Sequence, residues 1–238
     1  MLARLAFTGA AVAVAGSCAW ATLSAESQLC GRTLIAGRDP AELALTYDDG
    51  PNDRCTQQLL DLLARHQIRA TFFFIGRFVR QRPDLARAVH AAGHLIGNHT
   101  WSHPWLVLES PRRVREELAA CNAAIEDAIG APVRFFRAPH GARRPDVLQT
   151  ARGLGLTSVQ WNAMGNDWKP LISEQIAANL EVGIARNRRR GRGSNLLLHD
   201  GGHEGLGADR SRSIEATRLL LQRYPPGQVR YVTVEAWI

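Results

Sequence analysis

From residue 43 onward the chain alternates short apolar runs with longer amphipathic stretches. The apolar runs predict seven β-strands, at residues 43–47, 70–75, 95–98, 133–137, 156–161, 196–199 and 231–234. Helices are predicted between them, at residues 56–66, 83–92, 111–129, a stretch that opens at residue 173, and 213–224. Ser110 stands at an N-cap position, and Pro83 suits a first helical turn.

A strand followed by a helix, repeated along the chain, predicts an α/β fold with a parallel sheet and right-handed crossovers. Seven such strands favour a closed or nearly closed barrel over an open sheet. In such barrels the catalytic groups gather at the carboxyl ends of the strands. Chemistry is therefore expected at those ends.

Reactive polar side chains do follow five of the predicted strands. They are Asp48 and Asp49 after the first strand, His99 and His103 after the third, Arg137 and His140 after the fourth, Asp167 and Trp168 after the fifth, and His199 at the end of the sixth. Purely structural polar groups would be scattered over the surface. Their position predicts one rim that carries carboxylates, imidazoles and a guanidinium.

A metal site is the first chemistry that this rim suggests. His99 and His103 are four residues apart, so a helical turn or a tight loop would bring both rings to one side. Two His and one Asp with open positions are typical of a catalytic divalent metal such as zinc. Asp48 and Asp49 are neighbours and should point in different directions. One is expected to bind the metal and the other to handle a proton.

These motifs, in this order and spacing, resemble those of the polysaccharide deacetylases of carbohydrate esterase family 4, the NodB homology domain. The resemblance covers about residues 43–199. It implies a distorted (β/α) barrel with about seven parallel strands. It also implies an enzyme that removes N-acetyl groups from a glycan, either peptidoglycan or a chitin-like oligosaccharide, by attack of a metal-bound water, with release of acetate. The expected metal is zinc, with cobalt or a similar divalent ion as alternatives.

Two other activities stay open at this point. One is an O-acetyl esterase acting on an acetylated polysaccharide such as xylan. The other is a non-catalytic glycan-binding relative, which the retained aspartates and histidines argue against.

The resemblance implies a role for each motif residue. The expected metal ligands are Asp49, His99 and His103. The expected catalytic residues are Asp48 as the base, Arg137 and Asp167 as the residues that organise the charged site, and His199 as the acid. The expected substrate contacts are Pro139, His140, Trp168 and Leu197. Two positions depart from the family pattern: His140 replaces the usual Tyr and Met164 replaces a frequent Asp.

The first 25 residues are predicted to be a signal peptide or N-terminal anchor, because a basic start precedes an almost wholly apolar run. Small residues around Ala21 and Ala25 offer cleavage points, and Cys18 is a lipidation alternative. Residues 26–238 would then form the catalytic domain. The protein is expected to be exported to the periplasm, the cell envelope or the medium, with membrane contact only through an uncleaved or lipidated N-terminus.

Composition adds limits on partners. The chain has 238 residues, of which 45% are apolar, and this fits one domain. Its formal net charge of +7 makes nucleic acid a partner to consider. Much of the excess charge lies at residues 186–192, between a helix and a strand, on the face away from the site. We interpret that run as a solvated loop. The expected partner is therefore an acetylated glycan and not nucleic acid, and the protein is expected to be a monomer.

Three cysteines follow the N-terminal segment, without a CxxC pair, so a zinc finger is not expected. In an oxidising compartment one disulfide is plausible. We predict a bond between Cys30 and Cys55, with three buried thiols, Cys121 included, as the alternative.

Overall fold

The computed structural model describes residues 20–238 and shows a curled parallel sheet surrounded by helices. Within that range the strands are β1 (Glu42–Gly50), β2 (Thr71–Phe74), β3 (Leu95–Asn98), β4 (Phe135–Phe136), β5 (Thr157–Ser158), β6 (Ala163–Met164), β7 (Ser194–His199) and β8 (Arg230–Tyr231). Residues 20–23 are helical. The helices numbered here are α1 (Cys55–Arg65), α2 (Gly76–Gln81), α3 (Pro83–Ala91), α4 (Pro111–Ile129), α5 (Pro145–Gly153), α6 (Ser173–Arg189) and α7 (Ser211–Arg223). Short 3-10 turns occur at Leu106–Leu108, Pro139–Gly141 and Val234–Trp237.

The sheet follows the order β5-β4-β3-β2-β1-β7-β6, and β8 pairs with the start of β1. Every ladder between these strands is parallel. The two outermost strands, β5 and β6, are separated in sequence only by residues 159–162. The ends of the sheet must therefore approach each other, which curls it into the distorted barrel that the sequence predicts.

The apolar side chains fill two layers because alternate residues of each strand point to opposite faces. Phe72 and Phe74 of β2 pack with Leu59 and Leu63 in the layer beneath the helices. Phe73 points the other way, into an interior cluster with Ala44, Phe135, Val159 and Val234. Burial on both faces explains why β2 reads as an uninterrupted apolar run.

Several predicted elements differ in extent from the structure. The strands predicted at 133–137 and 156–161 shrink to the two-residue β4 and β5, and most of 231–234 lies outside β8. Three elements, α2, α5 and β6, were not predicted: α2 and β6 are only six and two residues long. For α5 the missed signals are Pro145 at its first position and Asp146 in its first turn. The helix at Pro111–Ile129 is as predicted, and the Ser110 hydroxyl caps it by accepting from the Arg113 N–H.

The predicted disulfide is wrong, because Cys30, Cys55 and Cys121 are all free thiols. Cys55 begins α1, where its buried Sγ accepts the backbone N–H of Arg210 at 3.2 Å. The Cys30 Sγ, half-buried, instead donates to the carbonyl oxygen of Ala21 at 3.6 Å. The fold therefore places the two sulfurs against different partners.

The predicted signal peptide or anchor falls largely on residues 1–19, which lie outside the described residues. Between residues 20 and 238 the helices are all too short or too polar to span a membrane.

Close packing of α6 on β6 can be tested at Gly183. A Cβ at this position would overlap the side chain of Ala163 and lie 2.9 Å from its Cα. We expect Gly183→Ala to lower the free energy of unfolding by about 1–3 kcal/mol through overpacking. Gly153 in α5 is the matched control, because its added Cβ meets only an Arg115 nitrogen at 3.9 Å. Urea denaturation should show Gly153→Ala neutral or stabilising by up to about 1 kcal/mol; equal stabilisation in both variants would contradict the packing.

Candidate active site

The end of β1 separates two adjacent carboxylates. The register against β2 shifts between Asp48 and Gly50, and Asp49 adopts a left-handed φ of 71°. As a result the Asp48 Oδ1 accepts from Arg137 Nη1 at 2.8 Å, while Asp49 Oδ1 lies 3.5 Å from His99 Nε2 and 3.2 Å from His103 Nε2. Both carboxylates are buried. They thus face two different sets of partners.

Asp49, His99 and His103 form a set of donors suited to a metal ion. Their ligand atoms all lie within 4.8 Å of one another, and among residues 20–238 no other group of three His, Cys, Asp or Glu meets this condition. The buried Asp49 Oδ1 has no hydrogen-bond donor in the described part of the chain, which is costly for an anionic oxygen without a cation. Two imidazoles, one carboxylate and room for further ligands fit a catalytic divalent ion such as zinc.

The protonation of these three residues also suits a metal ligand set. His99 Nδ1 lies 2.8 Å from the carbonyl oxygen of Arg137, so that nitrogen carries the hydrogen and Nε2 keeps its lone pair toward Asp49. Burial lowers the pKa of His103 to about 2, which keeps its ring neutral. Burial alone would raise the pKa of Asp49, but the nearby imidazoles of His99, His199 and His103 bring it below its usual range.

A tight loop, not a helical turn, brings the two histidines together. Thr100 and His103 both adopt left-handed φ, at 68° and 65°. The Asn98 side chain accepts the N–H of Thr100 at 2.7 Å, and the Thr100 hydroxyl accepts the N–H of His103 at 3.0 Å. These bonds hold backbone conformations that non-glycine residues rarely adopt. Asn98, at a strand end, is a turn-forming signal that the sequence offers for this support.

Arg137 is wholly buried and binds through both terminal nitrogens. Nη1 donates to Asp48 and to the Thr46 hydroxyl, both at 2.8 Å, and Nη2 donates to Asn195 Oδ1 at 3.3 Å. Its guanidinium lies 4.2 Å from the centre of the Phe73 ring. Burial lowers the pKa of Arg137, and the charge of Asp48 opposes that effect. Thr46 and Asn195 were not predicted as site residues; the only sequence signal is a polar residue within an apolar strand.

Asp167 and His199 form a second charged pair at the same rim, where His199 at the end of β7 is in register with Asp48 of β1. His199 Nδ1 donates to Asp167 Oδ1 at 2.8 Å, while Asp167 Oδ2 accepts the N–H of His199 and the hydroxyl of Ser213. Burial by itself would lower the pKa of His199, but the Asp167 carboxylate raises it to about 9, with help from Asp49 and Asp48. His199 is therefore a cation at neutral pH and can donate a proton.

A pocket of about 900 Å³ joins these groups. Leu197 lines it, and Trp168 lies edge-on to His199 with ring centres 5.5 Å apart. His140 also lines the pocket, and its ring stacks on Trp105 at 3.8 Å. Pro139 is buried and does not line the pocket.

One further imidazole, His203, was missed by the sequence analysis. It lies in the loop after β7 and stacks on the ring of His103 at 4.6 Å, with an angle of 15° between the planes. His140 contacts the same ring edge-on at 4.7 Å. His99 lies edge-on to the same ring at 5.0 Å, so three imidazoles contact His103. Another histidine four residues beyond His199 was the available signal.

The charge of the Asp167–His199 pair can be tested by pH. The folded-state pKa of His199, about 9, exceeds its ordinary value of 6.5, so the stabilisation is complete below pH 6.5 and is lost as pH rises through 9. We expect Asp167→Asn to lower the free energy of unfolding by a few kcal/mol at pH 6.5 and by much less at pH 10. Urea denaturation of both proteins in chelator measures this, with Asp146→Asn as a surface control. A cost that stays the same at both pH values would contradict the ion pair.

Comparison with known proteins agrees with this arrangement. The family model described as polysaccharide deacetylase matches residues 36–159. A chitooligosaccharide deacetylase from Rhizobium leguminosarum bv. trifolii is 40% identical over 167 residues, which are 70% of this chain and 74% of that protein.

Two solved structures are similar in fold over most of both chains. A peptidoglycan N-acetylglucosamine deacetylase has a TM-score of 0.76 at 28% identity, covering 86% of this chain and 91% of that one. A family 4 acetyl xylan esterase from Clostridium thermocellum, solved with a cobalt ion, has a TM-score of 0.72 at 30% identity, covering 82% and 89%. The sequence match, the barrel and the rim together show that this chain is an enzyme of the polysaccharide deacetylase family.

Proposed function

We propose that the protein is a metal-dependent deacetylase that hydrolyses N-acetyl groups of a chitin-like oligosaccharide or of peptidoglycan and releases acetate. The observation that carries this proposal is that three groups of side chains surround one pocket. They are the metal-ligand set Asp49, His99 and His103, the Asp48–Arg137 pair and the Asp167–His199 pair. The deacetylases among the similar proteins support the substrate class.

A divalent ion held by Asp49, His99 and His103 would supply Lewis acidity to the acetyl carbonyl and lower the pKa of a water beside it. Zinc fits the donor set, and cobalt is supported by the related esterase. The ring orientation of His99, fixed by the Arg137 carbonyl, keeps its Nε2 available for that role.

Asp48 is the proposed general base. Arg137 holds its Oδ1, and Oδ2 lies 3.8 Å from His99 Nε2, on the side of the metal ligands. Asp48 also lines the pocket, where it can accept a proton from the attacking water. Asp49 is not the proposed base, because its Oδ1 faces His99 and His103 in the proposed metal site.

His199 is the proposed general acid. Its positive charge at neutral pH comes from Asp167, which leaves Nε2 free to give a proton to the departing nitrogen. Leu197 and Trp168 form the wall beside it, and the backbone N–H of His140 is the proposed donor to the oxyanion. An amide leaving group needs protonation more than an alkoxide does, so the raised pKa of His199 favours amide substrates.

The second candidate is an O-acetyl esterase acting on a polysaccharide such as xylan. The likeness to an acetyl xylan esterase favours it, because that enzyme has a similar fold at 30% identity. The same side chains could catalyse hydrolysis of an ester, whose leaving group depends less on protonation by His199.

The proposed place of action is based on the N-terminal sequence. We propose that residues 1–25 act as an export signal or anchor, and that the enzyme meets its glycan outside the cytoplasm.

Metal removal tests the function as a whole. We expect acetate release from N-acetylated chitooligosaccharides or peptidoglycan to fall to background after chelation, because the carbonyl loses its Lewis acid. Zinc or cobalt should restore it. Acetylated xylan is assayed in parallel to separate amide from ester activity. Full turnover in metal-free protein would contradict the metal role, and release from xylan alone would favour the esterase.

The general base is tested by a pair of neighbouring substitutions. Asp48→Asn should lower kcat by about 10²–10⁴-fold while zinc affinity stays nearly unchanged, because only proton transfer is lost. Asp49→Asn is the matched control and should weaken zinc binding itself. Steady-state kinetics and zinc titration measure the two effects. Near-normal turnover by Asp48→Asn would exclude Asp48 as the base.

A further inference from the structure

The two histidines of the proposed metal site are held in different ways. The His99 ring is fixed by a hydrogen bond, because its Nδ1 lies 2.8 Å from the carbonyl oxygen of Arg137. The Nδ1 of His103 is also buried, but it has no hydrogen-bond partner among residues 20–238. A metal-ligating histidine ordinarily donates its second ring N–H to an acceptor that fixes the ring. The orientation of His103 therefore needs another source.

Packing against other imidazoles supplies that orientation. The rings of His99 and His140 are steeply inclined to the His103 ring, at 62° and 77°. Of the three neighbouring imidazoles, only that of His203 is nearly parallel to it, at 15°, with the ring centres 4.6 Å apart. A parallel ring covers one face of the His103 imidazole, so rotation of that imidazole about its Cβ–Cγ bond would bring the two rings into collision. The stack therefore restricts the direction in which the His103 nitrogens point.

The loop that carries His203 is itself held in place. It follows β7, and the Arg77 guanidinium, from α2, donates a hydrogen bond to the carbonyl oxygen of His203. Three residues further on, the carbonyl oxygen of Leu206 accepts the N–H of Asp53, from the loop after β1, at 2.9 Å. The His203 side chain is exposed, but its backbone is fixed by other parts of the fold. The stacked ring therefore has a defined position from which to contact His103.

His203 contacts the metal site without belonging to the ligand set. In the described part of the chain, the donor atoms that lie within 4.8 Å of one another belong to Asp49, His99 and His103, and His203 is not among them. A metal ion binds an imidazole in the plane of the ring, at a nitrogen lone pair, whereas a stacked ring contacts its face. The contribution of His203 is thus to orient a ligand.

We propose that His203 is a positioning residue for His103, whose ring it holds so that Nε2 faces Asp49 and the metal ion. In this orientation His103 Nε2 lies 3.2 Å from Asp49 Oδ1. The inference rests on the metal site of the proposed function and adds a residue to it. Because His203 follows His199 by four residues, the loop after β7 then connects the proposed acid to the proposed metal site.

Zinc titration against a competing chromophoric chelator tests this role in the full chain. We expect His203→Ala to raise the Kd for zinc about three- to tenfold, the contribution of one aromatic pair, and His203→Phe to return it to within about twofold of the wild type. Phenylalanine keeps the flat ring and lacks the nitrogens, so it separates stacking from ligation. His90→Ala is the matched control, because His90 is an exposed histidine of α3 that does not line the active-site pocket.

The visible absorption spectrum of the cobalt-loaded proteins is a second readout, which reports ligand geometry independently of turnover. We expect the cobalt bands of His203→Ala to change in position or intensity, because His103 is no longer held. His203→Phe and His90→Ala should give the wild-type spectrum. Urea denaturation in chelator should give the same midpoint for all these proteins, since His203 is exposed and the metal is absent.

Two results would overturn the positioning role while the metal site stands. One is an unchanged zinc Kd and cobalt spectrum in His203→Ala, and the other is a His203→Phe variant as weak as His203→Ala. A wild type whose zinc affinity does not depend on Asp49 would overturn the metal site and this inference together. A wild type that binds zinc through Asp49 but releases no acetate from any of the glycans contradicts the proposed function alone, and the zinc comparison of the His203 variants still decides the positioning role.

Discussion

The buried ion pair between Arg137 and Asp48 is the interaction on which the site depends. Both charges are buried, so each needs the other, and the guanidinium also donates hydrogen bonds to Thr46 and Asn195. These partners come from β1, from the end of β4 and from β7. The pair is satisfied only when the strands are in register, and in the same arrangement the Arg137 carbonyl orients His99. A single residue thus links the proposed base to the proposed metal ligands.

The second organising feature is the left-handed backbone around the rim. Asp49, Thr100, His103 and His140 all have positive φ although none is glycine. Such conformations are unfavourable in an isolated chain and persist where surrounding contacts impose them. Here they turn side chains from different loops toward one point. Gly50 and Gly201 allow those loops to approach, because a Cβ on Gly201 would overlap the backbone of Asp49 and one on Gly50 would overlap the Asp200 carboxylate.

Arg143 links the active-site rim to a part of the chain that lies outside the motifs. Arg143 follows the turn that contributes His140, yet its guanidinium binds backbone carbonyls more than a hundred residues earlier in the chain.

The order of apolar runs and the polar residues that follow them were enough to predict the barrel and to bring Asp48, Asp49, His99, His103, Arg137, Asp167 and His199 to one rim, because parallel strands share an edge for their carboxyl ends. The lengths of β4, β5 and β6 could not be read this way, since two-residue strands carry no periodic pattern. The resemblance already implied that Asp49 joins the histidines and that Asp48 acts as the base, and the structure adds the backbone conformation that separates them. Only the tertiary structure decided that His203 stacks on His103 and that Cys30 and Cys55 stay apart. Each of these depends on contacts between residues distant in sequence or on a backbone angle imposed by such contacts, and local sequence preferences specify neither.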